Sequence, residues 1–314
     1  VIAALDDAGL PPLAGHEYLS TQFEFVPVAL IVAALVLYLW AVRRNNALHP
    51  RHPWSAVKTG AWLGALCTTA VSIFSFIGVY DGELFWDHMV QHLLLIMVAA
   101  PLFAIASPLD LAWRSSTGTA HLAVSEVLRS RVATFFGHPV VSFVLYAVLI
   151  PLSHLTSWYN LTLEHESIHN AEHLAFLVVG YLFWRQIFGS DPNRYRMHPA
   201  LQFFYLFMAI PIDTFTGLSL AGANSELFPA YCATARTLGC AGVAVPHPWG
   251  PSYVVDLHVG GDIMWVVGDT LMLWPMIPVA LRWMHMDERR AVRVDRELDG
   301  SSPDALLREG RSLP

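Results

Sequence analysis

Charge is scarce in this chain. Only 14% of its 314 residues are Asp, Glu, Lys or Arg, against about a quarter in an ordinary soluble domain. Lysine is reduced to Lys58, and no Lys or Arg precedes Arg43, so no secretory signal peptide with a basic leader is visible. Val1 in place of Met reads as an alternative start codon or as a processed or trimmed chain. The net charge of −7 is segregated by position and gives no footing for nucleic acid. Cysteine is limited to Cys67, Cys232 and Cys240. Cys67 falls in an apolar run and is expected to be a buried thiol.

Hydrophobic residues, by contrast, make up 55% of the chain. Apolar runs near the length of a bilayer recur along it. Seven spans are expected, near 25–42, 59–79, 88–109, 139–155, 171–188, 200–221 and 259–282. Pro101 should kink or interrupt the third, and Pro108 should end it. Gly60 and Gly64 in the second are spaced for close approach of another helix. Between spans three and four, 120–136 reads as an interfacial amphipathic helix. The expected fold class is therefore all-α: a polytopic seven-helix bundle in the lipid bilayer. An N-terminal segment (1–24) precedes the membrane domain (25–284), and a charged tail (285–314) follows, disordered after Asp299.

The loops after spans one, three, five and seven, with the tail, hold 17 of the 18 basic residues. Only Arg236 falls on the other side. The positive-inside rule then puts the N-terminus outside and the C-terminus in the cytoplasm, and Trp40, Trp86, Trp158, Trp184 and Trp283 mark span ends as an aromatic belt. In this orientation His88, His92, His154, His165, His169, His173 and His258 all sit at outer ends of spans. Cys232 and Cys240 are outside too, where a disulfide would staple the longest loop.

The stretch from Glu164 to Gln186 begins polar and becomes an apolar helix. His165, His169 and His173 are four apart, so each is rotated only ~40° from the last and the three share a helical face, with Glu172 beside them. His88 and His92 repeat the arrangement at the head of span three, with Met89 adjacent. One interfacial histidine is an ordinary polar group. Two i, i+4 pairs on separate helices, with His154 on a third, are a candidate metal site. In span seven, Asp262, Asp269 and Met276 are seven apart and are expected to share a face, with Met272 at its edge. Asp262 is read as a ligand or as the carboxylate that orients one. Asp269, and Asp213 of span six, are either a proton site or a buried tie between helices. His165-Glu166-Ser167-Ile168-His169 matches the HExxH pattern of zinc proteases, but short patterns arise by chance in a His-rich segment, and the chain is read as a non-enzyme.

Four stretches carry a family resemblance. They are Asp87-His-Met-Val-Gln-His running to Pro101-Leu102, with Pro108 beyond; His154 ahead of Trp158-Tyr159; His169-Asn-Ala-Glu-His173 running into Leu182-Phe183-Trp184; and Gly260-Gly-Asp-Ile-Met-Trp265-Val-Val-Gly268. Together they resemble the multi-pass CtaG family of cytochrome c oxidase assembly factors, over about residues 25–285. The resemblance implies a multi-pass protein of the bacterial plasma membrane that matures a haem–copper oxidase by handling copper for its binuclear centre. It carries His88, His92, His154, His169, His173 and Asp262 over as metal residues; the reading of the residues themselves adds Glu172, Met89 and His165 as further ligands or supports. The mechanism expected on this basis is that the outer histidines bind Cu(I) transiently and pass it to oxidase subunit I, with an extracytoplasmic copper donor as a further partner. The residues alone also leave open a haem protein, a copper or proton transporter, and a structural assembly partner without metal.

Overall fold

The computed structural model describes residues 13, 15–223, 227–228 and 251–300. Cys232, Cys240 and Arg236 lie outside the described residues, as does their expected disulfide. Every regular element described is helical. In chain order they are α1 (Phe25–Leu48), α2 (Ala56–Phe74), α3 (Phe76–Tyr80), α4 (Phe85–Leu93), α5 (Ala100–Ala106), α6 (Pro108–Ser115), α7 (Gly118–Arg129), α8 (Arg131–Phe136), α9 (Pro139–Leu155), α10 (Trp158–Glu164), α11 (Glu166–Trp184), α12 (Pro199–Ala221), α13 (Tyr253–Asp262) and α14 (Gly268–Gly300). A π-helical turn (Leu94–Ala99) joins α4 to α5, and a second (Ile263–Val267) joins α13 to α14.

Five of these helical stretches are long and apolar enough to cross a membrane: Phe25–Leu48, Ala56–Tyr80, Phe85–Ser115, Pro199–Ala221 and Tyr253–Arg296. A sixth is added if α9 and α10, bent by 68° at their junction, form one span. This is a membrane protein, and its helical class agrees with the sequence. The expected fifth span is not in this set. Its helix, α11, is 19 residues long, but Glu166, Glu172 and two histidines dilute its apolar run.

The stretch Phe85–Ser115 is the axis of the bundle. Two thirds of its most apolar window (67%) is buried, against 6% for α1 at the periphery. α2, α11 and α13 pack around it, and α12 joins α13 and α14 to α9. Pro101 sits in the first turn of α5, right after the π turn, where its missing N–H is least costly. The helix stops ahead of Pro108, since α5 ends at Ala106, but the span does not end there. Ser107 takes a left-handed φ of 50° and Pro108 opens α6, so the span continues to Ser115.

Close helix contacts fall at other glycines than the expected pair. Gly60 faces open space, and a Cβ on Gly64 would only touch Leu102. A Cβ on Gly180 would meet the Ala100 Cβ at 2.7 Å, and one on Gly217 would meet the Gly261 carbonyl at 2.8 Å. These are where α11 reaches the axial span and α12 reaches α13. Cys67 is also corrected: it is exposed, because α2 buries Ala61, Ala65, Leu66, Thr69, Ser72 and Ile73 on the other side. The interfacial 120–136 stretch is helical but broken at Ser130, whose hydroxyl caps α8. α14 runs unbroken past residue 284, so the charged tail begins as helix.

Candidate metal centre

α4 and α11 bring their histidine pairs face to face. Ring centroids are 4.2 Å apart for His88 and His92, 4.3 Å for His169 and His173, 5.3 Å between His88 and His169, and 6.2 Å between His92 and His173. The i, i+4 spacing of each pair puts both rings on one face, and the Gly180 crossing lets the two helices close on each other. His154, the last turn of α9, completes the cluster, 5.2 Å from His92.

The donors form two adjoining groups: His88, His92 and Glu172, all buried, and Asp81, His169 and His173, with His169 only half-buried. In the first, Glu172 Oε2 is 3.5 Å from His92 Nε2 and 3.8 Å from His88 Nε2. In the second, Asp81 Oδ2 is 3.7 Å from His169 Nε2. These gaps are too long for hydrogen bonds. They suit two ligands of one ion, since donors each about 2.0–2.2 Å from a metal lie roughly 3.3–4 Å apart. Both His88 nitrogens, His92 Nε2, His169 Nε2, His173 Nδ1 and both Glu172 oxygens are buried without a hydrogen-bond partner. Trp158 approaches Glu172, but no hydrogen bond of normal geometry forms.

Tautomers follow from the partners. His154 Nδ1 lies 2.8 Å from the Ile150 carbonyl, which can only accept, so Nδ1 carries the proton. In the neutral ring His154 Nε2 then accepts from His92 Nδ1 at 3.2 Å. His92 is left with a bare Nε2 lone pair aimed at the Glu172 carboxylate. Next to His92 on α4, Gln91 Nε2 donates to Asp81 Oδ2 (2.8 Å) and to the Ser72 carbonyl (3.1 Å), which fixes Gln91 Oε1 as an acceptor. His173 Nε2–H donates to it at 2.9 Å, leaving His173 Nδ1 bare. Lone pairs facing carboxylates repel unless a cation or proton lies between them. Metal-bound histidines are oriented by a hydrogen bond at their second nitrogen, as His92 and His173 are here. The set of imidazoles with carboxylates therefore fits a transition-metal ion.

Several expected site residues have other parts. His154 spends both nitrogens on hydrogen bonds and orients His92 rather than offering a free donor. Asp262 is exposed, because α13 buries Tyr253, Asp256, Leu257 and Gly260 on the opposite side. The structure does not bring it to either group. The acid of this helix that reaches the axial span is Asp256, which accepts from the Phe85 and Trp86 amides at 2.8 and 3.1 Å. The π turn after Asp262 also rotates α14 relative to α13, so the seven-residue spacing no longer aligns Asp262 with Asp269 and Met276. His165 is exposed at the junction of α10 and α11, apart from both groups, so the HExxH pattern brings no histidine pair together. Met89 is buried between α4 and α13, against Gly260. Beneath His92 and His154 is a cavity of about 20 Å³, lined also by Met89, Met97, Met264 and Asp213. It has room for a water and not for a porphyrin. Asp213 itself is tied down by the Tyr146 hydroxyl (2.7 Å), and Asp269 by Thr214 (2.7 Å). His258 donates to the Ala223 carbonyl, away from the cluster.

Asp81 was not foreseen as a site residue. It stands in the loop between α3 and α4, and burial pushes its carboxyl from an ordinary 3.8 up to about 7, against the Gln91 hydrogen bond that favours the charged form. Gln91 was missed as well, although its place between His88 and His92 was a usable signal. Asp87, buried with neither oxygen hydrogen-bonded, adds a third carboxyl to this end of α4.

Residues 36–286 match the cytochrome c oxidase caa3 assembly factor family, Caa3_CtaG. The chain belongs to this family. Curated relatives include uncharacterized proteins of Mycobacterium bovis and Mycobacterium tuberculosis, each 27% identical over 281 residues and matched across 85% of this chain. An uncharacterized protein of Mycobacterium leprae is 26% identical over 270 residues, or 82% of the chain. In each case the chain spans 40% of the relative's length. No solved structure matches. The family match covers both histidine pairs, Asp81 and Glu172.

Proposed function

We propose that this protein receives copper as cargo at the α4–α11 histidine cluster and passes it to cytochrome c oxidase subunit I during assembly of the binuclear centre. The carrying observation is the convergence of bare, buried imidazole nitrogens on buried carboxylate oxygens at 3.5–3.8 Å. The half-buried group Asp81, His169 and His173 takes the ion from an extracytoplasmic donor. The closed group His88, His92 and Glu172 holds it. Paired imidazoles hold Cu(I), and each carboxylate offsets its charge. Among the described residues no cysteine joins either group, and such ligands exchange readily enough for a carrier.

The same reading makes α11 a seventh crossing. At 19 residues it is about 28 Å long, close to the hydrocarbon thickness. It packs against α5, α9 and the π turn of the axial span, and it buries Glu172 and His173, so these polar groups meet protein rather than lipid. Seven crossings in a bacterial plasma membrane put the histidine end outside and the arginine-rich end in the cytoplasm.

The test is metal content after anaerobic Cu(I) loading of the detergent-solubilised protein. Wild type should retain copper stoichiometrically. The H88A/H92A variant should lose the closed site, and H169A/H173A should fill it more slowly. Negligible copper in wild type, or equal copper in all three, refutes the reading. Zinc retained in preference to copper refutes the cargo but keeps the site.

A further inference from the structure

At the end of the bundle away from the histidines, two adjoining pockets share Arg129, Thr134 and Arg194 in their walls. Their volumes are about 720 and 610 Å³. Arg196 lines the first and Arg131 the second. All four arginines are exposed. Among the described residues none of them has an ion-pair partner, and Asp110, the one acid in the walls, is already paired with Lys58 at 3.5 Å. Glu126, on α7, lines neither pocket. Four guanidinium groups thus line two adjoining pockets, and among the described residues no acid is paired with them.

The first pocket also carries the polar side chains Ser125, Thr134, Ser190 and Asn193, while the second opens onto an apolar side. Phe135, Val140 and Val141 close the second pocket. Val140 begins a stripe down α9 in which Val144, Val148 and Leu152 follow at four-residue steps, each between 45% and 62% exposed. The same stretch of chain presents Leu122, Val127, Val132 and Phe136 outward on α7 and α8. Charge at the helix ends above a continuous apolar track matches a molecule with an anionic head and a long hydrocarbon tail. Guanidinium groups bind phosphate through parallel N–H donors, and basic pockets beside membrane helices suit anionic headgroups.

We infer that this is a binding site for an anionic phospholipid, the phosphodiester held among Arg129, Arg131, Arg194 and Arg196 and one acyl chain lying along the α9 stripe. A soluble anion would use the arginines and leave the stripe without a part. An acidic protein segment would not need a track that runs down the membrane face of a spanning helix. The site is independent of the histidine cluster.

The experiment is native mass spectrometry of the full chain in detergent, with equimolar phosphatidylglycerol and phosphatidylcholine of matched acyl chains. Wild type should retain phosphatidylglycerol several-fold more than phosphatidylcholine, and R129Q/R194Q should fall to parity. Equal retention by wild type overturns the proposal whether or not the variant folds. So does an undiminished preference in a folded variant. Inorganic phosphate at the lipid concentration should leave the bound phosphatidylglycerol in place. Displacement by it would assign the pocket to a free anion, and displacement by a poly-glutamate peptide to a protein partner; either result overturns the lipid assignment.

Discussion

Asp81 ties the half-buried donor group to pH. Burial holds its carboxyl at about 7 in the fold, above its ordinary 3.8. The folded protein therefore keeps a proton there that the unfolded chain releases. Stability from this group is fully present below about pH 4 and is lost as pH rises through about 7. A cation reverses the preference, because it needs the carboxylate. Copper affinity of the group should climb by at most about tenfold per pH unit up to about pH 7 and level off above it, one proton leaving per ion. D81N should flatten that dependence and weaken binding, read by chelator competition between pH 5.5 and 8. A slope unchanged in D81N would remove Asp81 from the site. Glu172 gives a companion case. E172Q keeps its shape but removes the charge facing His88 and His92, and should lower copper retention in the closed group without lowering the melting temperature. A lower melting temperature with copper retained would make Glu172 a structural tie. Glu172 was legible beside the His169–His173 face because helical periodicity is local. Asp81 was not, because its meeting with His169 spans 88 residues and depends on how α3 turns into α4.

At the scale of the element, the packing rests on close crossings that a side chain would block. G180V should force α11 off Ala100 and Ile96 and cost about 1–3 kcal/mol, the usual range for overpacking. G60A, facing open space, should be neutral or stabilising. Thermal denaturation in detergent compares the two, and similar losses in both would mean α11 does not close as described. The helix pairing behind this contrast could not be read from glycine spacing, since Gly60 and Gly64 have the favoured spacing but Gly60 faces open space and a Cβ on Gly64 would make only an ordinary contact with Leu102. Span limits were far more legible. α9 begins at Pro139 and ends at Leu155 as expected, because proline at a first helical position and the end of an apolar run are local signals. The π turns were invisible, as no single residue encodes them. The one at Ile263–Val267 broke the expected alignment of Asp262 with Asp269. His154 was recognised as part of the cluster, but its role as the support of His92 required the distance to the Ile150 carbonyl.

At the scale of the molecule, one helical axis separates two chemically opposite ends. Bare histidines and buried carboxylates gather where Phe85 begins, and exposed arginines gather beyond Ser115. The charge asymmetry predicts which end faces the cytoplasm. Single cysteines test it in a background lacking Cys67, Cys232 and Cys240. Thr156→Cys, at the exposed junction of α9 and α10, should react with a membrane-impermeant maleimide in intact cells. Thr117→Cys, between α6 and α7, should react only after permeabilisation. Both sites are outside regular helix, so reactivity reports side rather than burial. Copper delivery from outside requires this result, since a donor must reach His169 without crossing the bilayer. The reverse pattern would place the cluster in the cytoplasm and leave an extracytoplasmic donor no access. Labelling of both sites from the same side would mean an even number of crossings between them, so that the intervening α9 stretch does not span. That result would contradict the structure, in which the end of α9 lies beside His92 near the start of the axial span and Thr117 follows Ser115 at its other end.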